Sequence, residues 1–538
     1  MNELLDIIKQ GNIGVFFGAG ISFNASIPTV HHIVGKIMDS LEMNEHKEKI
    51  LGLKFPFEVF MEILSQYTSI DALLDVFSLG EPTSVHYVIK YLVENGYVKN
   101  LMSTNFDLLV EKAGINGLDN ILTDENKFSQ YDFSKVNYIK IHGCVSDKKS
   151  IRATMNVIMK RRLKNQRRKA IEYFFKEAGL SAIFVMGYSC SDKMDITPFV
   201  KSINDSKTQI VFIQHGKEHD GDNMEAHDLF SNFQRRIFKC NTDDFISLLC
   251  NEFNVAKTKQ RQNMELNKYF DFSSLNINER KLFVSKIYFK NSKFDDAVYL
   301  LESSIRQIKQ TNADKLVESD IYSFLFELYS NKIEDNKNYK IHYNQTVNHE
   351  KFEELNSYFL FSAEAYKSIS DKKESNDKSG ELYIHWGHLL LSLQKHDDAL
   401  IAYETAKKYF QLTKNYFRLN QVKNNIGNVY FMRYKDGYPN AAYSAESTFR
   451  ETMKLWLSCR DYYNKSEYLS ENAIIYSNIG ELLVELKPNH KKRAEKYLLR
   501  AKDLYIYLND KYGINECDNY LKKIQGNGIR RHSAYMER

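Results

Sequence analysis

Along residues 1–253, short apolar runs alternate with stretches of helical periodicity. The runs Ile13–Phe17, Val98–Ser103, Tyr138–Ile141, Ala182–Gly187, Gln209–Gln214 and Arg236–Lys239 are rich in β-branched or aromatic residues. Each stops at a glycine, an asparagine or a polar cluster, which predicts strands. Between them, Ser84–Glu94 and Asp107–Ala113 carry apolar residues at helical spacing. Strands alternating with helices imply a parallel sheet covered on both faces. Ligands of such sheets bind at the carboxyl ends of the strands, near the switch in strand order. The opening segment MNELLDIIKQ reads as an amphipathic helix and not as a signal peptide.

The texture changes after a polar stretch at 254–265, which is expected to be a linker between a first domain, 1–253, and a second, 266–538. The second domain shows no strand pattern. It carries a loose helical repeat in which a small residue is followed by an aromatic residue and two further small ones. Gly387 precedes Ala399, Tyr403 and Ala406; Gly427 precedes Tyr430; Gly480 precedes Ala494, Leu498 and Ala501. Ser285, Tyr288, Ala297, Leu301 and Ser304 keep a related spacing. Small residues let the two helices of a pair lie close together. The pattern resembles tetratricopeptide repeats, whose period is about 34 residues, although the glycines are irregularly spaced and the terminal proline is missing. An irregular helical array is the alternative. The resemblance implies helix pairs stacked into a superhelix with a concave surface suited to protein segments.

Composition narrows the classes. The chain has 538 residues, 43% of them hydrophobic and 27% charged, with 6 prolines and a net charge of +5. That is a globular composition of two or three domains, and the charge asks for no nucleic-acid partner. The one basic concentration runs from Arg152 to Lys169 without an acid. It reads as a solvated helix face, or else as a contact with nucleic acid or a partner. No apolar run approaches the roughly 20 residues of a membrane span. The 6 cysteines include no C-x-x-C pair, so no zinc or redox motif is visible and reduced cytoplasmic thiols are expected.

Four motifs follow predicted strands. Val15-Phe16-Phe17-Gly18-Ala19-Gly20-Ile21-Ser22 runs a strand into a Gly-Ala-Gly turn. Such a turn lets backbone N–H groups approach a pyrophosphate, or simply serves tight packing. In Ser103-Thr104-Asn105-Phe106-Asp107, the polar residues are ligand groups or caps of the next helix. Ile139-Lys140-Ile141-His142-Gly143 places a histidine at a strand's carboxyl end, where it is a base or a satisfied structural residue. Phe184-Val185-Met186-Gly187-Tyr188-Ser189-Cys190-Ser191-Asp192 again ends a strand in glycine and hydroxyls.

Taken in order, GAGIS, TNFD, a strand ending in HG, and GYS-x-x-D resemble the sirtuin family over about residues 1–250. The likeness is greatest to the sirtuin-like NAD-cleaving effectors of bacterial anti-phage defence. The segment from His86 to Leu92, followed by Gly96, is also similar to that group. The resemblance implies a Rossmann-like NAD-binding domain fused to the helical repeats. It implies that Gly18, Ala19, Gly20 and Ser22 hold the pyrophosphate side of NAD, with Asn105 and His142 as the catalytic pair. Asp107 is then expected at the nicotinamide, and Gly187, Ser189 and Asp192 along the adenosine half. Protein-deacylating sirtuins carry G-I-P-D-F-R after the first motif, a four-cysteine zinc module and an acyl-lysine channel segment. Here Ser26-Ile27-Pro28-Thr29-Val30-His31 stands in the first place and the other two are missing. These departures favour water as the acceptor and an NAD glycohydrolase giving nicotinamide and ADP-ribose, with no metal. The implied setting is an abortive-infection effector controlled by its repeats through a protein trigger, a phage protein among the candidates, and through homo-oligomer formation. Two other readings stay open at this point: an NAD-dependent deacylase or ADP-ribosyl transferase, and a nucleotide-binding adaptor without turnover.

Overall fold

The computed structural model describes residues 2–53, 57–118, 120–123, 127–128, 130–132, 134–151, 165–188, 190, 196–203, 207–214, 229–258, 269, 272, 274–308, 314–338, 347–435, 445–466, 469–507 and 511–524. The chain divides into two compact units, Met1–Ser274 and Leu275–Arg538.

The first unit is built on a seven-stranded sheet: β1 Ile13–Phe17, β2 Val98–Ser103, β3 Asn120–Leu122, β4 Asn137–Lys140, β5 Ala182–Met186, β6 Gln209–Gln214 and β7 Gln234–Lys239. Every neighbouring pair is parallel, in the order β3-β4-β2-β1-β5-β6-β7. The expected Rossmann-like sheet is present, with its switch in strand order at the central β1. All five residues of β1 and of β5 are buried, because a parallel strand covered on both faces has no solvent side. On one face Val15, Phe17, Leu101, Tyr138 and Phe184 pack with the helices Asn2–Gln10, Ser84–Glu94 and Thr242–Glu252. On the other, the ring of Phe16 meets Phe175 edge-on at 5.7 Å.

β1, β2 and β6 occupy the residues that the apolar pattern marked, while β4 and β7 begin earlier than expected. β3 had no sequence signal: it is three residues long and lies at the sheet edge, paired with β4 alone. Residues 254–258 do not hang free. Thr258 N–H donates to Ser84 Oγ at 2.9 Å, tying the end of this segment to the first unit.

Among its described residues the second unit consists of helices and their connections, with no strand. Successive helices pack in pairs, for example Lys372–Ser392 with His396–Leu412 and Leu469–Leu486 with Lys491–Tyr507. The small residues sit at the contacts. A methyl group added at Gly387 would lie 2.6 Å from the Tyr403 ring, at Gly427 2.5 Å from Trp456, and at Gly480 2.6 Å from Leu498. Ala399, Ala406, Ala494 and Ala501 have no exposed surface. Gly380 and Gly513, which the pattern did not single out, play the same part against Phe410 and Tyr505.

Gly480→Val should therefore cost about 1–3 kcal/mol through overpacking, read as a lower unfolding midpoint in denaturant. Leu499→Gln, on a 46% exposed position of the partner helix, should stay within about 0.5 kcal/mol. Equal effects of the two substitutions would show that close approach at Gly480 does not hold the pair together.

Candidate active site

The carboxyl ends of β5, β1, β2 and β4 are laced together by the backbone. Gly18 N–H donates to Met186 O at 3.1 Å, Gly20 N–H to Gly187 O at 2.9 Å, Thr104 N–H to Phe17 O at 3.2 Å, and Ile141 N–H to Ser103 O at 2.9 Å. The glycines are required for this. A methyl group at Gly18 would lie 2.8 Å from Gly187 O, and one at Gly20 2.7 Å from Gly187 Cα. Gly187 has φ +60, and a methyl there would lie 2.6 Å from Ile21 N. The Gly-Ala-Gly turn thus packs against the end of β5, with the N–H groups of Gly18 and Gly20 engaged within the fold.

Behind the turn runs a buried polar chain. Asn105 Nδ2 donates to Gly18 O at 3.2 Å and to Ser22 Oγ at 3.1 Å. Ser22 Oγ donates to Asp107 Oδ2 at 2.7 Å, and Asp107 Oδ1 accepts from Leu109 N–H at 3.1 Å. The N-cap position of the short helix Leu109–Lys112 is Leu108, and the side chain that meets the first N–H of that helix is Asp107 rather than Thr104 or Asn105. Both Nδ2 contacts fix the Asn105 amide, and its Oδ1 is buried with no partner among the described residues. An unpaired buried acceptor costs about 1–3 kcal/mol, so such a group marks a place where a ligand atom belongs. His142 follows β4 in the adjacent turn, buried, with its ring 6.3 Å from that of Phe106. Because Ser103 pairs with Lys140 in the sheet, Asn105 and His142 leave neighbouring strands side by side.

Two buried groups next to this chain escaped the sequence reading. Lys140 donates to Asp107 O and, at 2.7 Å, to Glu111 Oε1. Burial works to lower its pKa, but Glu111, Cys144 and Asp107 outweigh that and hold the ammonium above its ordinary value. A lysine between two isoleucines in an apolar strand was the only signal. His86, fully buried, accepts at Nδ1 from Thr83 N–H at 3.1 Å. Its pKa is lowered to about 4, mainly by burial, with the nearby Asp107 opposing the shift.

A cavity of about 890 Å³ opens beside the turn, lined by Gly20, Phe23, Asn24, Gly187, Asp243 and Lys257 among others. Asn105, Asp107 and His142 are not in its wall; they lie buried behind the turn. Ser189 and Asp192 lie outside the described residues, as does the basic stretch up to Lys164. Of the remainder, Arg168 and Lys169 are exposed, as a solvated face requires, but Arg167 is fully buried. Thr29, Val30 and His31, where deacylating sirtuins would carry D-F-R, begin a helix: Thr29 Oγ1 accepts from His32 N–H at 3.2 Å. Among the described residues no cluster of His, Cys, Asp or Glu is disposed to hold a metal, and no helix is long and apolar enough to cross a membrane.

With this geometry in place, comparison with known proteins adds a family match: the family described as SIR2-like domain covers residues 99–232. A SIR2-like segment thus lies within the first unit. Among solved structures, a Sir2 homolog in complex with NAD is 14% identical, covering 47% of this chain and 94% of that one, with a TM-score of 0.28. BtubC (BKLC) from P. vanneervenii is 14% identical over 48% of this chain and 95% of its own, with a TM-score of 0.25. A signal transduction ATPase with numerous domains and a tetratricopeptide repeat sensor, from Pyrococcus horikoshii, is 11% identical over 97% of this chain and 85% of its own, with a TM-score of 0.37. No curated protein sequence matches the chain.

The lowered pKa of His86 makes the first unit sensitive to acid. Below pH 6.5 an unfolded His86 takes up a proton that the folded one refuses until about pH 4. Stability contributed above the unfolded value is thus lost as pH falls through this window, by up to about 3 kcal/mol. His86→Gln should flatten the fall in denaturation midpoint between these pH values; an unchanged slope would show that His86 is not held neutral.

Proposed function

We propose that the SIR2-like domain binds NAD at the switch point of its sheet and hydrolyses the nicotinamide–ribose bond. The observation that carries this reading is Asn105: its amide is locked by Gly18 O and Ser22 Oγ, and its Oδ1 is a buried acceptor left for a ligand. The bond breaks through an oxocarbenium-like transition state. Nicotinamide leaves as a neutral ring, so the protein's task is to orient the ribose and to admit one water. Asn105 Oδ1 accepts from that water or from a ribose hydroxyl, and His142 takes the proton. Asp107 already accepts from Ser22 and Leu109, yet a carboxylate has further lone pairs for the carboxamide N–H of nicotinamide. Gly18, Ala19, Gly20 and Ser22 border the pyrophosphate, and Gly187, Ser189 and Asp192 the adenosine half. The helix that starts at Val30 replaces the D-F-R segment of the deacylases, which supports water over an acyl-lysine as acceptor.

By the same resemblance the protein is an anti-phage effector, in which the helical unit controls NAD loss through a protein trigger or through self-association. Unregulated depletion of NAD would kill the host, so a control element is required.

Asn105→Ala and His142→Ala should each lower NAD cleavage about a hundredfold or more, with nicotinamide and ADP-ribose as the wild-type products by chromatography and an unchanged circular dichroism spectrum. Turnover near wild type in either variant sinks the assignment. For the control role, a chain ending at Ser274 should differ from the full chain in turnover or in oligomeric mass. Identity in both, with and without candidate phage proteins, would remove the helical unit from the regulation.

A further inference from the structure

The turn that carries His142 also encloses a thiol and an amine in contact. Lys140 Nζ lies 3.1 Å from Cys144 Sγ and 2.7 Å from Glu111 Oε1. Ser146 Oγ donates to the same sulfur at 3.2 Å, and Glu111 Oε1 is 3.8 Å from it. Lys140 and Cys144 are both buried. The backbone holds them in place from two sides. Lys140 is paired with Ser103 in the sheet. Beyond it the chain reverses at Gly143, with φ +92, and Cys144 N–H donates to Ser150 Oγ at 2.9 Å. An ion pair with Glu111 accounts for a buried lysine. It does not account for a thiol set against the same ammonium, where a thiol is a weak acceptor.

We propose that Lys140 and Cys144 form an oxidation site that closes into a covalent Nζ–O–Sγ link. The ammonium first passes a proton to Glu111, its nearest acceptor. The neutral amine and the thiol then react with dioxygen. One oxygen atom forms new bonds to Nζ and Sγ; the other leaves as water with one hydrogen from the amine and one from the thiol. Nitrogen and sulfur lose two electrons each, and dioxygen takes all four. An inserted oxygen joins atoms already this close with little movement. A direct N–S bond would instead pull two packed elements together, which a close-packed interior resists. Because the ammonium is held above its ordinary pKa, the link should form faster as pH rises.

The link has a consequence for the neighbouring chain. Lys140 in its charged form donates to Asp107 O and Glu111. As a bridged nitrogen it is neutral and keeps a single N–H. The Asp107 carbonyl then loses its cation and competes with Glu111 for one N–H, leaving Leu109 N–H as the firm contact of the residue that holds Ser22 and, through it, Asn105. This consequence rests on the proposed NAD reading, whereas the link itself does not.

The test is made on the full chain in air-saturated buffer, at neutral and mildly alkaline pH, with and without dithiothreitol. Trypsin should yield a peptide from Val136 to Lys148 left uncut after Lys140, heavier by one oxygen less two hydrogens. Dithiothreitol should restore the normal mass and the cut, and Cys144→Ser should never show the species; Lys140→Arg, if it folds, should behave as Cys144→Ser does. An unmodified peptide, a gain of whole oxygen atoms with the cut after Lys140 retained, or loss of two hydrogens alone would each overturn the link. NAD turnover of linked and reduced protein is measured separately. A protein that links but never cleaves NAD refutes the functional reading and leaves the link standing. Equal turnover in linked and reduced forms refutes the coupling.

Discussion

β1 leaves the centre of the sheet into a gap bounded by the ends of β2 and β5, and the width of that gap governs the rest of the site. The atoms that side chains at Gly18, Gly20 and Gly187 would strike first are backbone atoms, so no rotamer change relieves the clash. With glycine at all three, the two chain ends exchange hydrogen bonds directly. The carbonyl of Gly18, which accepts from Ile21 N–H at 3.3 Å, also takes the Asn105 amide. The orientation of the central polar side chain thus descends from backbone packing two strands away. The same glycines that suggested phosphate contact from sequence are shown first as packing residues, and a ligand role has to be compatible with that work.

The buried polar chain is a second-order consequence. Burying Ser22, Asn105, Asp107 and Lys140 in the interior is unfavourable unless each finds partners. Ser22, Asp107 and Lys140 do so with one another, with Glu111 and with a helix N-terminus. Only Asn105 keeps an open position, its Oδ1, and a side chain fixed at its other atoms suits a reaction that depends on orientation. Charge also matters. In the proposed reaction the nicotinamide ring is cationic in NAD and neutral once released. A lone carboxylate at Asp107 would therefore favour the substrate over the product. The Lys140 ammonium on the Asp107 backbone partly offsets that bias, and His86, held neutral, adds no further charge.

What could be read from sequence follows from the range of the interactions. Strands β1 and β6 are mainly apolar segments ended by local breakers, and a window of a few residues contains most of the information. The position of Asn105, His142 and the glycines at strand ends was legible because a parallel sheet puts those ends on one side whatever the detail. β3 was not, because Asn120–Leu122 becomes a strand only through pairing with β4. Lys140 and Glu111 meet across 29 positions, and Cys144 joins them through a reversal at Gly143; no local pattern announces such a cluster. Nor did the sequence motif separate a structural part for Asp107 from a chemical one, since the same carboxylate accepts from the first N–H of a helix and from Ser22. The cavity wall at Asn24, Asp243 and Lys257 was missed for the same reason as Lys140: its members come from distant segments.

The helical unit shows why its repeat looked degenerate. A strict period would be needed if each turn of sequence had to repeat the same loop. What recurs instead is a contact: a glycine on one helix receiving a large side chain from the next, Tyr403, Trp456 or Leu498. Ring and aliphatic partners differ in shape, and connections between helices differ in length, so the spacing drifts while the contact survives. Close approach at a glycine brings the helix axes together and lets small residues such as Ala399 and Ala406 be fully buried. Each pair then presents an apolar flank that only another pair can cover, and stacking follows from burial rather than from exact periodicity. A contact of this kind with connections of unequal length gives a sequence whose repeats are visible at the glycines and blurred elsewhere.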